Sequence, residues 1–235
     1  DSGFVTGDDI LDIKYDGKAF TSKTTYYVKF FAMVDANLIE SEIGLFTTGL
    51  FYSSDWHTGF IGIPLEATPQ MDCPEKEKIG YAAPYLRKSF TVSKPVVSAK
   101  AFATAYGVYE LYINGKKDEH YSMAPEWTDY SKSVQYQYYD LTDSIVQGEN
   151  VIGAIIGDGW YAGNIAAVGR KQYGDAPLGF MLHLSLTYAD GSEELILTND
   201  TWRGSSGPIV YTDNQTGEYY DARLEKEGWC SAGFD

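Results

Sequence analysis

The chain has 235 residues, 44% of them apolar, and a formal net charge of -15. That length allows one large domain, or one and a half ordinary ones, with a sizeable core. The charge argues against a nucleic-acid partner, since phosphate recognition needs a concentrated basic face and no Lys/Arg cluster is present; no apolar run approaches the roughly 20 residues of a membrane-spanning helix.

Aromatic residues make up 15% of the chain, with 20 tyrosines and 24 glycines, and long runs of 3.6-residue periodicity are scarce. This composition predicts an all-β chain. In chain order, Tyr26 to Val34 alternates in part, and a boundary follows between Thr48 and Tyr85, where prolines and the charged run Glu75-Lys76-Glu77-Lys78 interrupt the pattern. Residues 1–48 supply three or four strands, too few to close a sandwich unaided. Residues 49–84 read as a linker, and 85–235 carry enough short strands for a complete two-sheet domain.

Within that region Lys100 to Tyr106 and Tyr109 to Ile113 alternate clearly. Asn114-Gly115 and Asp190-Gly191 sit between strand-like runs and predict tight primed hairpin turns, which need positive φ. Around the second turn Phe180, Leu182, Leu184, Leu186 and Tyr188 are expected to face the core, and Met181, His183, Ser185 and Thr187 the solvent.

The stretch Ile155 to Asn164, IIGDGWYAGN, follows an apolar run with glycines spaced as G-x-G-x-x-x-G. A dinucleotide turn must open a helix within a strand-helix-strand unit. Here Gly169, Gly174 and Pro177 follow instead of an amphipathic helix, and Trp160 and Tyr161 stand where backbone would have to approach phosphate, so the nucleotide reading fails. An aromatic loop leaving the end of a sandwich has two other uses. It plugs the open end or docks on a neighbouring domain, or it binds sugar by stacking rings on C–H faces while polar groups meet hydroxyls. Asp158, Trp160, Tyr161, Asn164 and Tyr173 are of the right chemical kinds for the second.

Other candidates for chemistry are weaker. Asp158, Glu218 and Asp221 are the best carboxylates for a glycosidic acid pair, but 33 acidic residues make such neighbours common by chance. Asp221 and Arg223 on one strand face read first as an ion pair. His57, His120 and His183 lack the short spacing of a metal set, whereas Asp158, Asn164, Asp175 and Asn214 offer oxygen ligands for calcium without an EF-hand pattern. Cys73 and Cys230 read as free thiols. Asp1 in place of an initiator Met is expected of a processed or excised chain, and the compartment stays open between secreted, periplasmic and cytoplasmic.

Four segments in order, YGVYELYINGKK (Tyr106 to Lys117), APEWTDYSKSVQYQYYDLTDSI (Ala124 to Ile145), GENVIGAIIGDGWYAGN (Gly148 to Asn164) and TGEYYDARLEKEGW (Thr216 to Trp229), resemble the amino-terminal β-sandwich module of bacterial α-L-rhamnosidases. The resemblance covers roughly 84–235, with LFTTGLF and SDWHTGFIG upstream similar to that family's fibronectin-type domain end and linker; Phe60 stands where relatives often have Trp. It implies a jelly-roll-like β-sandwich preceded by part of a fibronectin/immunoglobulin-like domain. It also implies a parent glycosidase whose inverting acids sit on a separate (α/α)6 barrel, so that this chain is a non-catalytic support. The alternative it raises is a carbohydrate-binding module for L-rhamnose or rhamnose-containing glycans, with calcium in some relatives. Contacts are then expected from Glu110 and Asn114 as well as the Asp158 to Tyr173 loop, although turn geometry alone accounts for Asn114.

Overall fold

The computed structural model describes residues 15–72 and 79–234, and the chain divides into two compact units, Asp1–Asp55 and Trp56–Asp235. The described part of the first unit holds four strands, β1 (Thr25–Val28), β2 (Phe31–Val34), β3 (Asn37–Glu40) and β4 (Gly44–Thr47). They pair antiparallel as a nested hairpin, β1 with β4 and β2 with β3. The base of this hairpin is tied by Asp55, whose Oδ2 accepts from Ser22 Oγ at 2.5 Å and from the amides of Phe51 and Tyr52 at 3.1 Å.

The second unit begins ahead of the expected start at residue 85, at Trp56. It holds the short pair β5 (Gln70–Asp72) and β6 (Ile79–Tyr81), then β7 (Pro84–Val92), β8 (Val96–Tyr106), β9 (Val108–Ile113), β10 (Lys116–Lys117), β11 (Gln137–Asp140) and β12 (Gly148–Gly157). A one-turn helix α1 (Gly159–Ala162) precedes β13 (Gly179–Tyr188), β14 (Glu193–Leu197), β15 (Arg203–Ser206), β16 (Ile209–Asp213) and β17 (Gly217–Tyr220). A five-stranded sheet in the order β10-β9-β12-β7-β15 and a four-stranded sheet in the order β11-β8-β13-β14 form the two layers of a sandwich. Every pairing is antiparallel.

Strand alternation builds the core. Leu86 and Phe90 on β7, Leu111 and Ile113 on β9, and Ile152, Ala154 and Ile156 on β12 pack in one core with Phe180, Leu182, Leu184 and Leu186 on β13 and, beside these in the same sheet, Ala105, Ala103, Ala101 and Ala99 on β8. The alanines leave room for the large residues of β13, and each fully buried Leu or Phe contributes about 1.5–3 kcal/mol.

The opposite face of the four-stranded sheet departs from expectation. His183 and Ser185 are buried rather than solvated, and Phe102 beside them is fully covered. Tyr136 and Tyr138 pack on Phe102, Trp56 on Tyr136, and His57 lies 6.0 Å from the His183 ring. His183 Nδ1 donates to the Trp56 carbonyl at 3.0 Å, because a carbonyl can only accept. The cover comes from residues distant in sequence, which alternation within one strand does not reveal. Further along, Ile61 exchanges backbone hydrogen bonds of 2.9 and 2.8 Å with Phe180, so part of the 49–84 segment lies along the sheet.

Both hairpins form. Asn114 and Gly115 have φ of 50° and 80°, as a primed turn requires. At Asp190-Gly191 only Gly191 has positive φ, and Tyr188 N bonds Ser192 O at 2.9 Å, so this is a three-residue loop with a left-handed last residue rather than the expected primed turn. Asp190 stabilises it by accepting from Ser192 N at 3.0 Å and Ser192 Oγ at 2.5 Å. Asp221 and Arg223 are ion-paired at 2.6 Å, but Asp221 caps a 3-10 turn beyond the end of β17 instead of sharing a strand face. Cys230 is a buried free thiol. Cys73 and the Glu75-to-Lys78 run lie outside the described residues.

Candidate functional site

The loop singled out in the sequence leaves the end of β12 and returns to β13 through α1. Gly159 has φ of 53°, and a Cβ there would stand 2.6 Å from Val108 Cγ1, so only glycine lets the chain turn here. The rest of the loop is laced back onto the helical turn: Lys171 N bonds Ala162 O at 3.1 Å and Gly174 N bonds Tyr161 O at 3.2 Å.

Beneath this loop lies a buried polar cluster. Arg170 Nη2 donates to Asp158 Oδ2, and Nη1 donates to Asp213 Oδ2 at 2.5 Å and to Tyr211 OH at 3.1 Å. The side chains of Arg170, Asp158 and Asp213 are 1%, 3% and 0% exposed. Asp213 Oδ2 also accepts from Asn164 N at 2.8 Å and Asn164 Nδ2 at 3.2 Å, while Oδ1 accepts from the amides of Gln215 at 2.8 Å and Thr216 at 3.0 Å. Burial raises the pKa of Asp213, but the amides of Gln215, Asn164 and Thr216 outweigh it and hold the carboxyl below the usual range. Asp158 accepts fewer hydrogen bonds, and burial pushes it up to about 6 against the pull of Arg170. One guanidinium thus bridges two carboxylates and ties the end of β12 to the loop and to β16. A sealed, mutually paired group of this kind fixes geometry and cannot reach a glycosidic oxygen.

Above it runs a tier of aromatic rings. Phe60 stacks on Tyr106 (centroids 4.3 Å apart) and Tyr106 on Tyr161 (5.0 Å); Tyr130 meets Tyr161 at 5.4 Å and Tyr173 at 5.3 Å. Tyr161 packs on the core and closes the end of the sandwich. Trp160 is half-buried and stacks on Trp127, the ring centroids 6.2 Å apart and the planes within 6° of parallel. Trp127 is 51% exposed.

The seven residues expected to meet sugar are therefore dispersed among several jobs. Asp158 and Asn164 come together, but through Arg170 and Asp213. Tyr161 and Tyr173 come together through Tyr130. Glu110 is paired with Lys117 and accepts from Tyr112 OH at 3.0 Å. Asn114 donates to Ser144 O and Asn150 Oδ1, both at 2.9 Å, and accepts from Val151 N at 2.8 Å, so its amide is spent on the hairpin base. Trp160 is the one whose partner is itself an exposed ring.

Calcium fits these residues poorly. A guanidinium occupies the space between Asp158 and Asp213, Asp175 is paired with Lys171 at 2.7 Å, and among the described residues no group of three or more His, Cys, Asp or Glu is placed to hold a metal ion. Sequence reasoning missed Arg170, Asp213 and Trp127. Arg170 and Asp213 lie 43 positions apart, and no local pattern links them. Trp127 carried one signal, an aromatic between a Pro-Glu pair and a Thr-Asp pair in a loop.

A family model described as Alpha-L-rhamnosidase N-terminal domain matches residues 94–235. The chain belongs to this family. A curated α-L-rhamnosidase of Streptomyces avermitilis is 46% identical over 158 residues, which are 67% of this chain and 15% of that protein. The structure of the α-L-rhamnosidase from Dictyoglumus thermophilum superposes with a TM-score of 0.84 at 31% identity, covering 95% of this chain and 25% of that one. The S. avermitilis enzyme complexed with L-rhamnose superposes at 0.65 with 34% identity, covering 87% of this chain and 21% of that one. The chain spans 15% to 25% of the length of the curated rhamnosidases it matches.

Proposed function

We propose that this chain is the non-catalytic amino-terminal β-module of an α-L-rhamnosidase, supporting a separate catalytic domain, an (α/α)6 barrel, that cleaves terminal α-L-rhamnosides. The observation that carries this reading is the family match over 94–235 in relatives four or more times longer than the region they share with this chain. The chemistry agrees with it. Of the carboxylates best suited to an acid pair, Asp158 is sealed against Arg170 and Asp221 is paired with Arg223.

The test compares three proteins on an aryl α-L-rhamnoside: this chain alone, the intact enzyme that carries it, and the intact enzyme with residues 94–235 removed. Turnover by the intact enzyme, none by the chain, and loss of activity or thermal stability on removal is the expected result. Turnover by the chain alone, or full activity and stability without it, sinks the proposal.

A further inference from the structure

After β17 the chain runs over the face of the five-stranded sheet that points away from the core. On that face Tyr112, Gly153 and Arg87 are register partners across β9, β12 and β7, while their neighbours Leu86, Leu111, Ile152 and Ala154 point inward. Gly153 leaves a notch in the row. A Cβ there would stand 2.7 and 2.9 Å from Cζ3 and Cη2 of Trp229, so the indole sits directly over the glycine. Tyr85 and Tyr112 each meet this indole edge-to-face, with ring centroids 5.2 Å apart. Next in the chain, Cys230 is buried, its Sγ 3.9 Å from Tyr112 O.

Arg87 grips the far end of this segment. It is 8% exposed; Nη1 donates to Phe234 O at 2.6 Å, Nη2 donates to Ser231 O at 3.3 Å, and the guanidinium carbon lies 5.1 Å from the centre of the Phe234 ring. A planar fork of donors can hold two carbonyls and a ring at once, which a lysine ammonium cannot. Residues 226–234 form neither strand nor helix. Among the described residues their backbone–backbone hydrogen bonds stay within the segment: Trp229 N to Lys226 O at 3.0 Å, Ser231 N to Gly228 O at 2.8 Å and Phe234 N to Ser231 O at 3.4 Å. No rung of the sheet ladder breaks if it lifts, and water takes over the guanidinium without leaving a carboxylate stranded. Lys226 Nζ, which donates to Ser205 Oγ at 2.9 Å, fixes the point where lifting would start.

From this geometry we infer that residues 229–234 are a latch, which Arg87 holds shut and which opens as a unit while the sandwich stays folded, baring Cys230 and an aromatic floor of Tyr85 and Tyr112. Segments held by few side chains and no ladder bonds open at free energies well below that of global unfolding. Arg87 is the positioning residue of this device, and Gly153 is its seat.

The latch carries its own probe. Of the two cysteines, Cys73→Ser leaves Cys230 as the single thiol. Burial pushes that thiol up to about 11, so behind a shut latch it is both covered and protonated. Its reaction with dithiodipyridine is followed at pH 8 across a urea series that stops short of unfolding. All five tryptophans lie in the second unit, so their fluorescence gives the urea slope of its global unfolding for comparison. Labelling through an open latch should depend on urea far more weakly than global unfolding does, because little surface is exposed. Arg87→Met should speed labelling at least about tenfold, and Arg87→Lys should not restore the wild-type rate. Labelling that appears only with the full slope of global unfolding overturns the latch, and the wild-type protein decides this even if a variant fails to fold. An Arg87→Met rate within about twofold of wild type, or a wild-type rate in Arg87→Lys, overturns the assignment of Arg87.

Discussion

Replacing Arg170 by Met isolates the energetic role of the buried cluster. The guanidinium is 1% exposed and donates to Asp158, Asp213 and Tyr211, so methionine keeps most of the volume and removes every charge-assisted bond. Losing one partner of a buried ion pair costs about 3–5 kcal/mol, because the other charge is left without compensation. Asp213 is partly protected by the amides of Asn164, Gln215 and Thr216, and Asp158, already pushed up to about 6, escapes by taking a proton. The expected loss is therefore near the low end, about 3 kcal/mol at pH 8, and smaller at pH 5, where protonation of Asp158 is cheap. Denaturant unfolding followed by tryptophan fluorescence, which sees only the second unit, measures it; Arg170→Met/Asp158→Asn should recover part of the loss. A change below about 1 kcal/mol, or no relief from the second substitution, would refute the claim that this arginine holds two buried carboxylates in place.

Three further outcomes are expected. The carboxyl of Asp158 is raised from 3.8 to about 6 in the folded chain, so its bound proton favours the folded state fully below the lower value, and that contribution disappears as pH rises through the upper one. The unfolding free energy of the wild type minus that of Asp158→Asn should accordingly fall by up to about 3 kcal/mol between pH 4 and 7, and a flat difference counts against the shift. In Gly153→Ala the new Cβ would meet Leu86 O and Trp229 Cζ3, each at 2.7 Å, so a cost of about 1–3 kcal/mol with a change in tryptophan emission is expected, and neutral stability would place Trp229 elsewhere. Asn114→Ala removes the bonds to Ser144, Asn150 and Val151 at a residue of φ 50°; about 2 kcal/mol of destabilisation is expected, and unchanged stability would free its amide for another contact.

Which parts of the molecule were readable from sequence follows from the range of the forces involved. Alternation in Phe180 to Tyr188 and the Asn114-Gly115 dipeptide are governed by neighbours one to four positions away, and both strand and hairpin formed as read. The same alternation misplaced His183, because its cover arrives from Trp56 and His57. The candidate site shows a similar split. Composition marked Asp158, Trp160 and Asn164 as chemically able to meet a sugar, yet a carboxylate and an amide serve equally well inside a salt-bridged cluster, and only their neighbours decide.

The sequence by itself determined that this is an all-β chain, where its clear hairpin turns fall, and, through four ordered segments, which family it belongs to; these depend on local backbone preference and on residue order. Tertiary structure alone decided that Arg170 sits between Asp158 and Asp213, that Tyr161 plugs the sandwich, and that Trp160 faces Trp127. Burial sets that division: a side chain's chemistry is written in its identity, but whether water, a countercharge or a second ring meets it depends on strands brought together from across the chain.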